Sequence, residues 1–273
     1  SYYEAPVSED LDSYPIVIVS HGWRGFKTLH TDFIEELASN GYIVVSIDHT
    51  YGSIATVFGE GDVEYLNLDA LLPRNTNDNF EEDSNQLVKT YSGDIVNTID
   101  FLEQLNENTE SDFHAKLDVE KIGLLGHSTG GGAGVDTALN DDRVDAIFGL
   151  DSWVEPIGTE ELSDGLSVPA VFIRSGAWET GENNQYLYPL IEESASTTTL
   201  YQIDGTTHYD FAMVYMYSPL TKYIGFTGSV DNRYLVDMLK SMMNDFFDET
   251  LKESGPTQID IDQWDEIHEV VIP

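Results

Sequence analysis

The chain has 273 residues, 41% of them hydrophobic, which is enough for one sizeable core. Its 50 Asp and Glu against 12 Lys and Arg give a formal charge of −38, a balance that repels nucleic acid and anionic membranes. With no cysteine, disulfides, a thiol nucleophile and a cysteine-ligated zinc site are excluded. The acids run through the whole chain rather than in one block. Such a surface repels itself at low salt, and at about 1 M salt the Debye length falls to about 3 Å, so the composition suggests adaptation to high salt. No apolar run approaches the roughly 18–20 residues that span a bilayer, so no membrane insertion is expected. The first residue is Ser1 and no leader is visible. The compartment stays open, with secretion after leader removal the favoured reading.

Tyr14 to Ser20 is a continuous apolar run of strand length, as in a strand buried on both faces, and His21-Gly22-Trp23-Arg24-Gly25 follows as a glycine-punctuated loop. Thr31 to Ser39 has helical spacing and stops at Asn40-Gly41. Tyr42 to Ile47 reads as a second strand, and residues 49 to 80 as a long loop or broken helix. Glu82 to Asn106 keeps a helical period through Leu87, Tyr91, Ile95, Ile99 and Leu102. Four further strands are expected at Lys121 to Leu125, Val144 to Leu150, Val168 to Arg174 and Thr198 to Ile203, then an amphipathic helix from Asp231 to Leu251. This alternation predicts one α/β domain over residues 1–254, with a mostly parallel sheet covered on both faces. The acidic tail, 255–273, is expected to drape over the domain or extend the sheet as an edge strand. Ligands of such sheets bind beyond the strand C-termini.

At one such end stands Gly126-His127-Ser128-Thr129-Gly130, a G-x-S-x-G pattern between a strand and a helix start. Its glycines suit a sharp turn that pushes the serine into a cleft. The bare pattern recurs by chance in roughly a tenth of chains this long, and an ordinary glycine-rich turn is the alternative. The strand before it and the helix after it favour Ser128 as a nucleophile. The pattern resembles the nucleophile elbow of α/β-hydrolases, in which an acid and then a histidine follow the serine. Of the histidines at 21, 30, 49, 114, 127, 208 and 268, only His208 and His268 do so. His268 sits in the acidic tail, which leaves His208 as the base. Asp151 ends a predicted strand, while Glu179 and Glu182 follow the next one. Order alone does not choose among these acids. Backbone amides of Thr129 and Trp23 are the candidate oxyanion donors. Trp153, Tyr209 and Phe211 are candidate cleft aromatics, with Trp23 and Trp178 as further candidates for the same cleft; core packing is the alternative for several of them.

Ser20-His21-Gly22-Trp23, Gly126-His127-Ser128-Thr129-Gly130-Gly131, Leu150-Asp151-Ser152-Trp153 and Gly205-Thr206-Thr207-His208-Tyr209-Asp210-Phe211 occur in order. Together they resemble the platelet-activating-factor acetylhydrolase group of α/β-hydrolases, which merges into dienelactone-hydrolase-like and polyester-hydrolase branches. The resemblance covers roughly residues 14 to 250. It implies Asp151 as the acid, Trp23 and Thr129 as donors, and neither metal nor organic cofactor. It departs from the group at Thr129, often phenylalanine there, at Val154-Glu155-Pro156, and at the start of the chain, where leading strands are missing or shortened. The expected activity is hydrolysis of short-acyl or small esters, with a polyester hydrolase as the second reading. A non-catalytic binding protein on a hydrolase scaffold is the third. Oligomeric state is not legible.

Overall fold

The computed structural model describes residues 5–218, 220–255 and 259–272, with the backbone alone at Glu60. In chain order the strands are β1 Tyr14–Ser20, β2 Ile43–Ser46, β3 Ala55–Val57, β4 Val63–Tyr65, β5 Leu117–His127, β6 Ala146–Leu150, β7 Ala170–Ser175, β8 Thr198–Ile203 and β9 Ile267–Glu269. The helices are α1 Thr31–Ser39, α2 Phe80–Glu107, α3 Thr129–Asn140, α4 Thr159–Leu162, α5 Asn184–Glu193, α6 His208–Phe211 and α7 Asn232–Thr250. Seven strands form one sheet in the order β2-β1-β5-β6-β7-β8-β9, and every pairing is parallel except β8 with β9.

Side chains alternate across this sheet because a strand has a period of two. On β1, Ile16 and Ile18 enter the core shared with α2 and α3, while Val17 and Val19 enter the core shared with α1 and α7. Both faces are therefore dry, which explains why β1 carries no polar residue before Ser20. Helix α7 buries Leu235, Met238, Leu239, Met242, Met243, Phe246 and Phe247, an i, i+3, i+4 stripe, against this second face. Each such side chain stabilises the fold by about 1.5–3 kcal/mol. Asp231 caps the helix by accepting from the amides of Arg233 and Tyr234.

Residues 49–80 differ from the expected loop or broken helix. They hold the antiparallel hairpin β3–β4 followed by short 3₁₀ turns. Ala-Thr-Val and Val-Glu-Tyr flank a turn containing Gly59 and Gly61, a composition suited to paired strands. Part of the acidic tail joins the sheet: β9 pairs antiparallel to β8, with Gln202 opposite His268. Ile261 and Trp264 pack against the α7 side of the core.

Candidate active site

Strand β5 ends at His127 and α3 begins at Thr129, leaving Ser128 alone in the turn with φ 55° and ψ −120°. Backbone in this region is costly for a residue with a Cβ and persists only where its surroundings enforce it. Here the amide of Ser128 donates to Leu150 O at 3.0 Å, and its carbonyl accepts from Gly132 N and Trp153 N. Close packing of the turn against β1 depends on glycine. A Cβ on Gly130 would overlap the carbonyl oxygen of Ser20, and one on Gly22 would stand 2.9 Å from the Cβ of Ser128.

Asp151 follows β6 and also has a positive φ, 42°. Its buried carboxylate accepts from Ser175 N and Ser175 Oγ, both at 2.7 Å. Oδ2 also lies 3.0 Å from His208 Nδ1. Against an ionised carboxylate Nδ1 carries the proton, leaving Nε2 free to accept one. His208 opens α6, whose entry is fixed by a capping box: Thr207 N donates to Asp210 Oδ2 at 2.7 Å. The Trp178 indole stacks on the imidazole, 4.6 Å between centroids and 2° from parallel. Glu179 and Glu182 are exposed, and Glu182 lies 3.4 Å from Arg74.

Ser128 and His208 open into a cavity of about 700 Å³ whose wall includes Trp23, Thr129, Trp153 and Tyr209. The Trp23 amide points at Thr129 Oγ1, 3.4 Å away. Thr129 is the first residue of α3, where amides have no intrahelical acceptor and the helix dipole favours negative charge. Four of the sequence-picked groups and two of the three cleft aromatics therefore meet at one cavity, with Asp151 behind His208. Phe211 does not. It is fully buried in the core on the α7 side. At about 100° per residue, Tyr209 and Phe211 lie on opposite sides of α6, so when Tyr209 faces the cavity Phe211 faces inward. Trp178 touches the imidazole from outside the cavity wall.

Behind the Trp23 loop lies a buried polar network that the residue pattern did not reveal. His49 Nε2 is 2.9 Å from Ser20 Oγ and His49 Nδ1 is 2.8 Å from Asp94 Oδ2, with Tyr91 stacked at 3.7 Å. His21 bonds Ser53 Oγ through Nε2 at 2.8 Å and its neighbour's carbonyl, Gly22 O, through Nδ1. Burial pushes His21 down to about 3 and His30 down to about 4. Burial also lowers His49, against the pull of Asp94. His127 falls well below the usual value, first through burial and then through nearby His208. These rings are therefore neutral at pH 7, and His127, 3.1 Å from the carbonyl of His208, adds no charge beside the imidazole. One usable signal lay in Thr207-x-x-Asp210, a capping pattern marking the start of α6.

A mostly parallel sheet with this order, flanked by helices on both faces and bearing a strained serine elbow after β5, defines an α/β-hydrolase. The profile of one family of that superfamily, "Platelet-activating factor acetylhydrolase, isoform II", matches residues 2–271, and the chain belongs to that family. It is 26% identical to the platelet-activating factor acetylhydrolase of Bos taurus over 281 residues, covering 94% of this chain and 61% of the relative. The corresponding protein of Gallus gallus is 21% identical over 287 residues, covering 96% of this chain and 67% of the relative. The chain thus spans about three fifths of the length of the bovine relative. Among solved structures, the ferulic acid esterase from Streptomyces cinnamoneus superposes with a TM-score of 0.74 at 20% identity, covering 95% of this chain and 74% of that one. That likeness concerns the fold. No helix among the described residues is long and apolar enough to cross a membrane.

Proposed function

We propose that this chain is a serine carboxylesterase that cleaves small or short-acyl esters through an acyl-enzyme. The observation that carries the reading is the 3.0 Å contact of Asp151 Oδ2 with His208 Nδ1 beside a strained Ser128 that opens into the same apolar cavity. Ser128 Oγ attacks the ester carbonyl carbon while its proton passes to His208 Nε2. The amides of Trp23 and Thr129 hold the oxyanion. As the tetrahedral centre collapses, the carbon–alkoxy bond breaks and the imidazolium protonates the leaving alcohol. Water, deprotonated by His208, then attacks the acyl carbon; the bond to Ser128 Oγ breaks, the imidazolium returns its proton to Oγ, and the acid leaves. Asp151 keeps the imidazole in the Nδ1–H tautomer throughout. The family membership supports ester chemistry, and the esters of its vertebrate members, of which this chain spans only part, enter here as candidates.

A polyester hydrolase is the second reading. It is favoured by the aromatic bank of the cavity mouth, where Tyr209, Tyr217 and Phe226 are exposed. Soluble products from a polyester film would support it. Adaptation to high salt belongs to the same proposal and rests on the charge of −38. The direct test is turnover of a nitrophenyl ester panel by wild type and Ser128→Ala. A non-catalytic binding protein would turn over none and would resist covalent labelling by a fluorophosphonate.

A further inference from the structure

The charge of the cavity runs against the charge of the molecule. Asp and Glu make up 50 of the 273 residues, yet among the described residues none lines the cavity. One Lys or Arg residue does, Arg24. It is the residue directly after Trp23, the proposed oxyanion donor.

Most cations of this chain are already engaged. Lys27, Arg74, Lys89, Lys116, Lys121, Arg143, Lys240 and Lys252 each reach a carboxylate. Arg174 is buried and bonded to Gln202, Asn184 and Tyr188. Arg24 is exposed at the cavity, and among the described residues no carboxylate pairs with its guanidinium. The side chains of Lys222 and Arg233 likewise have no carboxylate partner among the described residues, but neither lines the cavity, so Arg24 is the one such cation at the site.

The backbone at this position sharpens the point. Arg24 has φ 67°, a conformation that glycine adopts without cost and an arginine does not. It is enforced from both sides: Arg24 N donates to Gly52 O at 3.0 Å, and Gly25 N donates to Gly22 O at 2.8 Å. A side chain is thus kept where folding alone would favour none, on a residue that lines the same cavity as Ser128 and His208.

We propose that Arg24 is a specificity residue: its guanidinium binds an anionic oxygen group, carboxylate or phosphate, carried by the ester. Guanidinium suits such groups because its planar fork can donate two hydrogen bonds to two oxygens. An anionic substrate otherwise meets a surface that repels it, and Arg24 supplies local attraction where the carbonyl must dock. This inference rests on the ester-hydrolase reading above.

The test compares matched esters that differ in one anionic group. For carboxylate the pair is 4-nitrophenyl octanoate and mono-4-nitrophenyl suberate. For phosphate it is 1,2-dihexanoylglycerol and its 3-phosphate. The readout is the ratio of kcat/KM, anionic over neutral, in wild type, Arg24→Gln, Arg24→Lys, Arg24→Gly and Arg24→Glu. In at least one pair the ratio should fall about 10-fold or more in Arg24→Gln and Arg24→Gly, further in Arg24→Glu, and less in Arg24→Lys. The pair that responds identifies the group. Arg24→Gly relaxes the backbone, so a matching fall there assigns the effect to the lost charge rather than to a damaged fold. The wild-type ratio should also narrow in about 1 M NaCl as the contact is screened. A ratio unmoved in both pairs, in an active enzyme, overturns the role of Arg24 and leaves the esterase reading intact. Wild type inactive on all four esters, with no fluorophosphonate labelling, overturns both.

Discussion

His208 is held between two partners of different kinds. Asp151 Oδ2 stands 3.0 Å from its Nδ1, and the Trp178 indole lies within 2° of parallel to its ring. The first contact sets the tautomer and the second limits tilt. Neither partner is near His208 in sequence. The parallel neighbours β6 and β7 bring Asp151 and Trp178 to the same end of the sheet.

Asp151 is therefore expected to be far more sensitive than the acids that follow β7. Asp151→Asn keeps the shape but lets Nδ1 lose its preference for the proton, and kcat should drop by roughly 10⁴-fold. Glu179→Gln, on an exposed side chain, should change kcat less than about threefold. Steady-state kinetics on one nitrophenyl ester decides this, and equal small effects would remove Asp151 from the mechanism.

Gly22 should tolerate no side chain for activity, although its backbone conformation does not demand glycine. A Cβ there would press on the Cβ of Ser128 at 2.9 Å and lie 3.2 Å from His127 Nδ1. Gly22→Ala must shift the Trp23 loop or the serine. A displacement near 1 Å is enough to lower kcat by about 10²-fold. Circular dichroism should show a folded protein, and undiminished kcat would contradict the close approach.

Sequence made the sheet legible where burial was uniform. Tyr14–Ser20 and Thr198–Ile203 were readable because an apolar run ended in turn residues. It served less well where local pattern was shared with loops: the β3–β4 hairpin hides in polar residues, and α6 is only one turn long. Ser128 and His208, proposed from order and context, lie on one cavity. Order alone leaves Asp151, Glu179 and Glu182 open, because the contact depends on where β6 ends beside Ser175; the family resemblance favours Asp151. Phe211 was misplaced since sequence proximity to Tyr209 says nothing about which side of α6 it occupies. The His49–Asp94 contact joins residues 45 apart and carries no local signature.

Acid should destabilise the fold through its buried histidines. His21 and His30 titrate at about 3 and about 4 in the folded chain, below the unfolded value of 6.5. Between those values the unfolded chain binds more protons, so stability rises with pH and is lost as pH falls from 6.5 towards about 4. At pH 5 each such histidine costs about 2 kcal/mol. Thermal unfolding at pH 7.5 and 5.0, in molar salt so that surface repulsion is screened, should show a clear fall in Tm. An unchanged Tm would contradict the neutral state of these rings.

Salt itself should stabilise the chain. At a charge of −38, adding NaCl or KCl to about 1 M should raise Tm by about 5 °C or more. A Tm insensitive to molar salt would remove the salt-adaptation proposal without touching the esterase reading.

Ser128 is the residue on which the proposed acyl transfer turns. Reaction of wild type with a fluorophosphonate, followed by intact mass and peptide mapping, should place one covalent adduct on Ser128 with loss of nitrophenyl-ester turnover. Ser128→Ala should take no adduct and retain no turnover above background. Full activity in Ser128→Ala, or an adduct mapped to another residue, would contradict the assignment.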